Sequence, residues 1–234
     1  MVKLYKNFNI KNYHKNSIIL IGNFDGLHLG HQKLFKLALS YKKKHNSKIG
    51  VINFDPMPKM YFNNSLKNFK ISSVNQKLEL LKGLKVDFII TKNFDRNFSK
   101  IKSIKFIKEI LYKKLNCKFI FVSNNFRFGN KREGDVKLLI QNEKNYNYKV
   151  IKPKPLLKSK KIVSSTIIRN LLEKGNLNRA NKFLGREWTV DGIVQKGRQV
   201  GKKIGFPTCN IDIKDYVLAQ PGVYAVRVLR KKNQ

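Results

Sequence analysis

The chain of 234 residues carries 50 lysines and arginines against 14 aspartates and glutamates, which gives a formal net charge of +36. With 41% hydrophobic and 11% aromatic residues it can bury a core, so full disorder is excluded. No apolar run approaches the roughly 20 residues that span a bilayer, and the N-terminus lacks the apolar core of a secretory signal. Cys117 and Cys209 lie far apart without metal-ligand spacing. We therefore expect a cytoplasmic protein with no membrane partner.

The excess positive charge first suggests a nucleic-acid partner. However, 41 of the basic residues are lysine and only 9 are arginine, and the chain has 26 asparagines and 23 isoleucines but 4 alanines. Lysine, asparagine and isoleucine have A/T-rich codons, so one mutational bias explains the whole set. Nucleic-acid binding would favour arginine, which contacts phosphates and bases bidentately. The lysines are also spread along the chain, and we expect no specific nucleic-acid partner.

Strand-like and helix-like segments alternate along the first 184 residues. The sequence predicts strands over residues 17–21, 48–54, 86–91, 117–123 and 148–151, and helices over 30–43, 74–84, 103–115, 136–143, 164–173 and 177–184. This alternation is typical of βαβ units and a parallel sheet. Beyond residue 184, short alternating segments at 189–194 and 223–229 are separated by glycines, which predicts the start of an antiparallel β domain.

The segment from Gly22 to Gln32 carries the strongest chemical signal. It begins at the end of a predicted strand and runs into a predicted helix, where open α/β sheets bind ligands. The helix N-terminus offers free N–H groups to phosphate, glycines let the backbone approach closely, and His28 and His31 can donate hydrogen bonds. These features predict a binding site for a phosphate-bearing ligand.

Residues 22–32, GNFDGLHLGHQ, resemble the HxGH signature of the nucleotidyltransferase superfamily and, within it, the bacterial bifunctional riboflavin kinase/FMN adenylyltransferases, also called FAD synthetases. Further motifs resemble this family in the same order. They are FDPMP at 54–58, where Met57 replaces the family's histidine; FRFG at 126–129, preceded by Asn125 where aspartate is common; REGD at 132–135; VSSTIIR at 163–169; LGR at 184–186; GFPTCN at 205–210; and GVYAV at 222–226.

The resemblance implies an α/β fold with a Rossmann-like nucleotidyltransferase domain at residues 1–184 and an incomplete β-barrel riboflavin kinase domain at 185–234. The implied reaction joins FMN to the AMP part of ATP, with pyrophosphate leaving and Mg²⁺ accompanying ATP. FAD is the product, and positioning and charge neutralisation carry most of the catalysis. The candidate catalytic residues are His28, His31 and Arg169. The candidate ATP-binding residues are Gly22, Asn23, Phe24, Asp25, Gly30, Ser164, Ser165 and Thr166.

On the flavin side, the candidates are Asp55, Asn125, Arg127 and Phe128. Asp55 either contacts the flavin or its ribityl chain, or only caps the turn at Pro56. Phe128 offers an apolar face to the flavin ring. The alternative is that Phe126 and Phe128 both alternate into the core, and we favour this alternative for Phe126.

Gly205, Pro207, Thr208 and Asn210 are the remnant of the kinase module, and the resemblance implies that Thr208 and Asn210 help bind magnesium and nucleotide phosphates, with Thr208 as the magnesium ligand. The family's catalytic glutamate and most of its barrel lie further downstream than residue 234. We therefore expect that the chain as given does not phosphorylate riboflavin.

Two alternatives stay open at the level of sequence. The chain could be another HxGH adenylyltransferase, although the GFPTCN segment argues against this. It could also be a decayed basic protein that binds nucleic acid without catalysis, in which case binding would weaken steeply with salt and no FAD would form.

Overall fold

The computed structural model describes residues 1–198 and 200–229. In this part of the chain the strands are β1 (Lys3–Tyr5), β2 (Ile18–Ile21), β3 (Ile49–Asp55), β4 (Phe88–Asn93), β5 (Phe119–Phe121), β6 (Arg127–Phe128), β7 (Gly134–Asp135), β8 (Lys149–Ile151), β9 (Leu157–Lys158), β10 (Lys161–Ile162), β11 (Val194–Gln195) and β12 (Asn210–Ile211). The α-helices are α1 (Leu29–His45), α2 (Pro58–Phe62), α3 (Val74–Lys82), α4 (Arg96–Ser99), α5 (Ser103–Lys105), α6 (Val136–Gln141), α7 (Ser165–Glu173), α8 (Leu177–Leu184) and α9 (Val200–Lys203). Shorter 3₁₀ turns lie at Asn12–His14, Asp25–Leu27 and Asn130–Arg132, and α5 continues as a π-helix over Phe106–Lys114.

Six strands form one sheet in the order β1-β4-β3-β2-β5-β8, and every neighbouring pair runs parallel. Ile18 of β2 lies opposite Ile49 on one side and Phe119 on the other, so β2 is an inner strand. The predicted α/β fold class is confirmed. Because all the strands point the same way, their carboxyl ends share one edge, and the segment after β2 emerges near the middle of it.

The inner strands are apolar on both faces because helices cover the sheet on both sides. Side chains of a strand alternate between faces: Ile18 and Leu20 pack with Leu34, Phe35 and Ala38 of α1, whereas Ile19 and Ile21 face the other cluster. That second cluster includes Ile107 and Leu111 of the π-helix. The continuous apolar run of β2 thus serves two cores at once.

Most elements lie where the sequence predicts them, within a few residues at each end, and α8 has the predicted bounds. The sequence prediction missed β1, whose three residues include only one that is half-buried. It also missed α2, which begins at Pro58 after the cis Asp55–Pro56 bond. Proline fits the first turn of a helix, where its missing N–H is not needed.

The region after residue 184 departs furthest from its prediction. The predicted strand over 189–194 is reduced to β11, which pairs only with β12, and no strand forms over 223–229 within the described residues. Most side chains there are exposed, including those of Val223, Val226, Val228 and Leu229. Residue 199 and residues 230–234 of the predicted second domain lie outside the described part.

Part of this region nevertheless packs against residues 70–71 and against α7 and α8. Val217 joins a buried cluster with Ile71 and with residues of α7 and α8, and its N–H donates to the carbonyl of Lys70. Lys70 also forms an ion pair with Asp215, with Nζ 2.9 Å from Oδ2. Residues 215–217 and residues 70–71 are therefore held together by apolar packing and by backbone and side-chain hydrogen bonds.

Candidate active site

The turn after β2 contains three residues with φ in the left-handed range, namely Phe24, Gly26 and Leu27. Phe24 has φ 48° with its side chain buried, and Gly26 has φ 73°. A Cβ at Gly26 would lie 2.8 Å from Cγ2 of Ile71, so both the conformation and the packing require glycine there. Gly22 and Asn23 link β2 to this turn, and the N–H of Gly22 still donates to the carbonyl of Ile52 of β3. The turn therefore leads the chain directly from the sheet edge into α1.

The two histidines form a stacked pair at the start of α1. Their ring centroids are 3.7 Å apart with an interplanar angle of 18°. Nδ1 of His28 accepts from the backbone N–H of His31 at 3.3 Å, which caps the helix. Because this nitrogen accepts, the proton of the neutral His28 ring lies on Nε2, which is left as a donor. The predicted pair of histidines is thus brought together at a helix N-terminus.

Both histidine rings are uncharged near neutral pH. Burial lowers the pKa of His28 to about 4, with Arg169 and Arg186 as further causes in the same direction. Burial also lowers the pKa of His31 well below its usual range, and the nearby His28 adds to this. The rings therefore act here as hydrogen-bond donors or acceptors rather than as fixed cations. Nδ1 of His31 is buried and has no hydrogen-bond partner among the described residues.

A second helix N-terminus lies against the first. A Cβ at Gly30 would come within 3.1 Å of the carbonyl oxygen of Val163, so glycine allows the two segments to approach closely. Ser164 caps α7 by accepting from the N–H of Ile167 at 3.4 Å, and the Ser165 hydroxyl donates to the carbonyl of Asp25 at 3.0 Å. Thr166 follows in the first turn with its side chain exposed. Two positive helix ends therefore converge on one place, which favours an anionic ligand.

Asp25 and Arg169 form a buried ion pair beneath the histidines. Nη2 of Arg169 donates to Oδ2 of Asp25 at 2.6 Å, and the two side chains are 11% and 5% exposed. The carboxylate also accepts from the backbone N–H groups of Ile71 and Ser72, at 3.1 and 3.2 Å. The Arg169 guanidinium lies over the Phe69 ring, 3.7 Å from its centroid, and its Nε donates to the Phe69 carbonyl. Asp25 thus holds the loop and Arg169 together, and Arg169 is near enough to His28 for its charge to lower the pKa of that ring.

Two residues from beyond residue 184 complete this arrangement, and the sequence prediction gave neither a role in the site. Nη1 of Arg186 donates to the carbonyl of Gly26 at 2.8 Å. Nε1 of Trp188 donates to the carbonyl of Ile71 at 2.9 Å. Burial lowers the pKa of Arg186, while the charge of Asp25 opposes this shift. The second segment therefore supports the turn that carries the histidines.

The predicted flavin residues are divided between the surface and the core. Asp55 ends β3 at the same sheet edge and is half-buried, Asn125 is exposed and accepts from the Ser123 hydroxyl at 2.9 Å, and Arg127 is exposed with Nη1 3.6 Å from Oδ2 of Asp135. Phe128, expected to offer its ring to flavin, is only 8% exposed and belongs to the core. Phe126, expected in the core, stacks on it and packs against the same core cluster while partly exposed.

The predicted kinase residues are all exposed. Gly205 has φ 85° with open space around it, Pro207 and Thr208 lie in an irregular stretch, and Asn210 begins β12. Nothing in their surroundings assembles a closed binding site within the described part of the chain. A predicted role for them stays a prediction.

The donor set around the histidines does not fit a protein-held magnesium ion. No group of three or more histidines, cysteines and acids with metal-ligand geometry occurs within residues 1–198 and 200–229. The Asp25 carboxylate, the acid nearest the histidines in sequence, is already occupied by three donors. We therefore derive no step through the metal.

Three buried polar groups at this sheet edge escaped the sequence prediction. The Lys77 side chain is 5% exposed, and the Ser72 hydroxyl and the Asn53 carbonyl oxygen are buried without a hydrogen-bond partner among the described residues. A signal for Lys77 is present in the sequence, because it lies four residues before the buried Leu81 on the same face of α3.

A parallel α/β sheet with two helix N-termini meeting beside an HxGH pair defines a domain of the nucleotidyltransferase class. Residues 10–167 match the family model described as FAD synthetase, and residues 184–234 match the model described as riboflavin kinase. The chain belongs to the bifunctional riboflavin kinase/FMN adenylyltransferase family, which confirms the resemblance that its motifs indicate.

Named relatives span most of the chain. The protein called bifunctional riboflavin kinase/FMN adenylyltransferase in Buchnera aphidicola subsp. Schizaphis graminum is 40% identical over 221 residues, which cover 94% of this chain and 71% of the relative. The Escherichia coli K12 protein of the same name is 34% identical over 212 residues, covering 91% of this chain and 68% of the relative.

A solved structure supports the fold. The crystal structure described as a macrolide-efflux protein from Streptococcus pneumoniae matches with a TM-score of 0.79 and 28% identity, over 95% of this chain and 73% of that one. In the described part of this chain, no helix is both long and apolar enough to cross a membrane.

Proposed function

We propose that the protein makes FAD by transferring the adenylyl group of ATP to FMN. A phosphate oxygen of FMN attacks the α-phosphorus of ATP, the bond between that phosphorus and the bridging oxygen breaks, and pyrophosphate leaves with the electron pair. No covalent enzyme intermediate is required, so positioning and charge stabilisation carry the catalysis.

The observation that carries the proposal is the meeting of the α1 and α7 N-termini next to the stacked His28 and His31. The free N–H groups of two helices and the Nε2–H of His28 together suit a polyphosphate chain. Arg169 lies beside them and is oriented by Asp25, so its remaining donors suit the charge that develops on pyrophosphate. Ser164, Ser165 and Thr166 would contact phosphate oxygens from α7.

The flavin would lie toward the carboxyl ends of β3 and β5, where Asp55, Asn125 and Arg127 are accessible. Because the Phe128 ring is in the core, we assign the apolar contact with flavin to Phe126 instead. Mg²⁺ would arrive with the ATP phosphates, and a reducing cytoplasm suits the two free cysteines, Cys117 and Cys209.

The test is incubation of the purified chain with FMN, ATP and magnesium, with FAD and pyrophosphate as the measured products. Wild type should form both in equal amounts. His28→Ala should lower turnover at least about 100-fold, as expected when a donor to the transition state is removed. The matched control is His45→Ala, because His45 lies at the opposite end of α1, roughly 25 Å away along the helix, and should leave turnover nearly unchanged.

A folded wild-type protein that forms no FAD would contradict the proposal. If it instead bound DNA or RNA with an affinity that collapses as salt increases, the alternative of a basic nucleic-acid-binding protein would be supported.

A further inference from the structure

Lys77 is a buried lysine for which the packing of the fold gives no structural reason. It lies in the first half of α3, where the capping box of Ser73 and Gln76 fixes the start of the helix. This fixes which face of α3 meets the sheet, and Lys77 lies on that face with Leu81. Burying a lysine is costly unless its charge is matched by a partner.

Within residues 1–198 and 200–229, no hydrogen bond or ion pair holds the Lys77 ammonium, although the residue as a whole is only 5% exposed. Burial lowers its pKa, and the charges of Asp25 and Asp55 oppose the shift without contacting it. The Asp25 carboxylate does not require Lys77 as a partner, because it already accepts hydrogen bonds from Ile71, Ser72 and Arg169. A structural role as the counter-ion of Asp25 is therefore unsupported.

The groups around Lys77 also lack partners. Ser72 precedes α3, and its buried hydroxyl makes no hydrogen bond to any described residue. Asn53 and Asp55 alternate with Phe54 along β3, so they share the face of the sheet on which α3 packs. The Nδ2 of Asn53 donates to Thr91, but its carbonyl oxygen is left without a partner in the described chain. Lys77 on α3, the Ser72 hydroxyl just before α3 and the Asn53 oxygen on the strand face that α3 covers are thus three polar groups without a hydrogen-bond partner among the described residues.

The other basic side chains of the described site are either uncharged or already paired, and the donors of Arg169 that Asp25 leaves free are assigned to pyrophosphate. His28 and His31 are uncharged near neutral pH, Arg169 is paired with Asp25, and Arg186 donates to the carbonyl of Gly26. Lys77 lies near both Asp25, in the turn that carries the histidines, and Asp55, at the end of β3, because the charges of both acids act on its pKa. The acceptor molecule brings its own phosphate, whose charge would repel the triphosphate unless a cation holds it.

We infer that the ammonium of Lys77 binds the phosphate group of FMN and positions its oxygen for attack on ATP. The inference rests on the proposed function, since it assigns the nucleophile of that reaction to this cation. Riboflavin has the same ring and ribityl chain without the phosphate, so it distinguishes phosphate binding from flavin binding.

The experiment compares wild type, Lys77→Met and Lys77→Arg in flavin binding, followed by quenching of flavin fluorescence, and in steady-state FAD synthesis. Lys77→Met should weaken FMN binding about 10- to 100-fold, the range for a charge-assisted hydrogen bond, and should leave riboflavin binding and the KM for ATP unchanged. Lys77→Arg should recover part of the FMN affinity. The matched control is Lys82→Met, which removes an equal charge from the same helix at a partly exposed position paired with Glu79.

Thermal unfolding separates this role from a structural one. Lys77→Met should not lower the melting temperature, because it removes an unpaired buried charge. The inference is overturned if the variant loses riboflavin and FMN affinity equally, if it binds FMN as wild type does, or if it melts at a lower temperature. If wild type makes no FAD, the proposed function fails, but the comparison of FMN with riboflavin still decides the role of Lys77.

Discussion

Replacing Asp25 with asparagine should cost about 3–5 kcal/mol of folding free energy, because it breaks a buried ion pair from one side. The carboxylate accepts hydrogen bonds from two backbone N–H groups and from Arg169, whose side chain is only 11% exposed. The introduced amide would keep one oxygen but present an NH₂ group to these donors, and the guanidinium would lose its counter-charge. The loss is a large share of the roughly 5–15 kcal/mol that stabilises a typical domain.

Urea unfolding followed by far-ultraviolet circular dichroism measures this cost. The set of variants is Asp25→Asn, Arg169→Met and the double variant, which together form a double-mutant cycle. The double variant should be more stable than the sum of the single losses predicts, by about 2 kcal/mol or more, since it leaves no charge unpaired. Lys42→Met is the control: its ammonium is 2.6 Å from Oδ2 of Asp87, but both side chains are partly exposed, so we expect a loss of at most about 1 kcal/mol.

The reasoning would be refuted by either of two results. One is an Asp25→Asn variant that loses no more stability than Lys42→Met. The other is a cycle in which the single losses add within about 0.5 kcal/mol, because independent contributions would mean that the two charges do not compensate each other.

The titration of His28, the backbone at Gly129 and the exposure of the kinase residues lead to three more predictions. The pKa of His28 is about 4 in the folded protein and 6.5 in the unfolded chain, so the free energy of unfolding is highest above pH 6.5 and falls by about 3 kcal/mol as the pH drops to 4. In urea unfolding at a series of pH values, the free energy of unfolding of His28→Gln should fall less steeply with decreasing pH. Gly129→Ala should destabilise the protein by about 1–3 kcal/mol, because φ is 77° and a Cβ would lie 2.7 Å from the backbone nitrogen of Ser103. A loss of folding free energy below about 0.5 kcal/mol in urea unfolding would contradict this. The chain of 234 residues should not convert riboflavin and ATP to FMN, because Thr208 and Asn210 are exposed and no closed site surrounds them in the described part. Detection of FMN by chromatography would show this prediction to be wrong.

The sequence predicted the central sheet well because its strongest elements carry local signals. β2 is a run of apolar residues, and α1 shows apolar positions at helical spacing, so neither depends on distant partners for its recognition. Residues 223–229 show the limit of such signals. Their alternation of valines is typical of a strand, but a strand forms only where another strand bonds to it, and no pairing to this segment occurs among the described residues.

The residues of the site likewise divide into those that a local sequence pattern identifies and those that depend on distant partners. His28 and His31 are close in sequence and were predicted together, whereas the pairing of Asp25 with Arg169 joins residues 144 positions apart. No local pattern indicates which arginine a given aspartate will meet. Phe126 and Phe128 are two positions apart and stack on each other, so the strand period places both rings on one face and gives no means of predicting that Phe128 is the more deeply buried of the two.

The contacts of Trp188, Tyr216 and Val217 with residues 70–76 have a practical consequence for anyone who divides this chain into parts. The boundary between the two family models falls near residue 184, yet the Tyr216 hydroxyl bonds to Gln76 and the Trp188 indole to Ile71. A fragment ending at Leu184 would expose the Ile71 cluster to water and release the backbone N–H groups that hold Asp25. Excising the adenylyltransferase half for crystallography, inhibitor screening or fusion should therefore retain the chain at least through Val217.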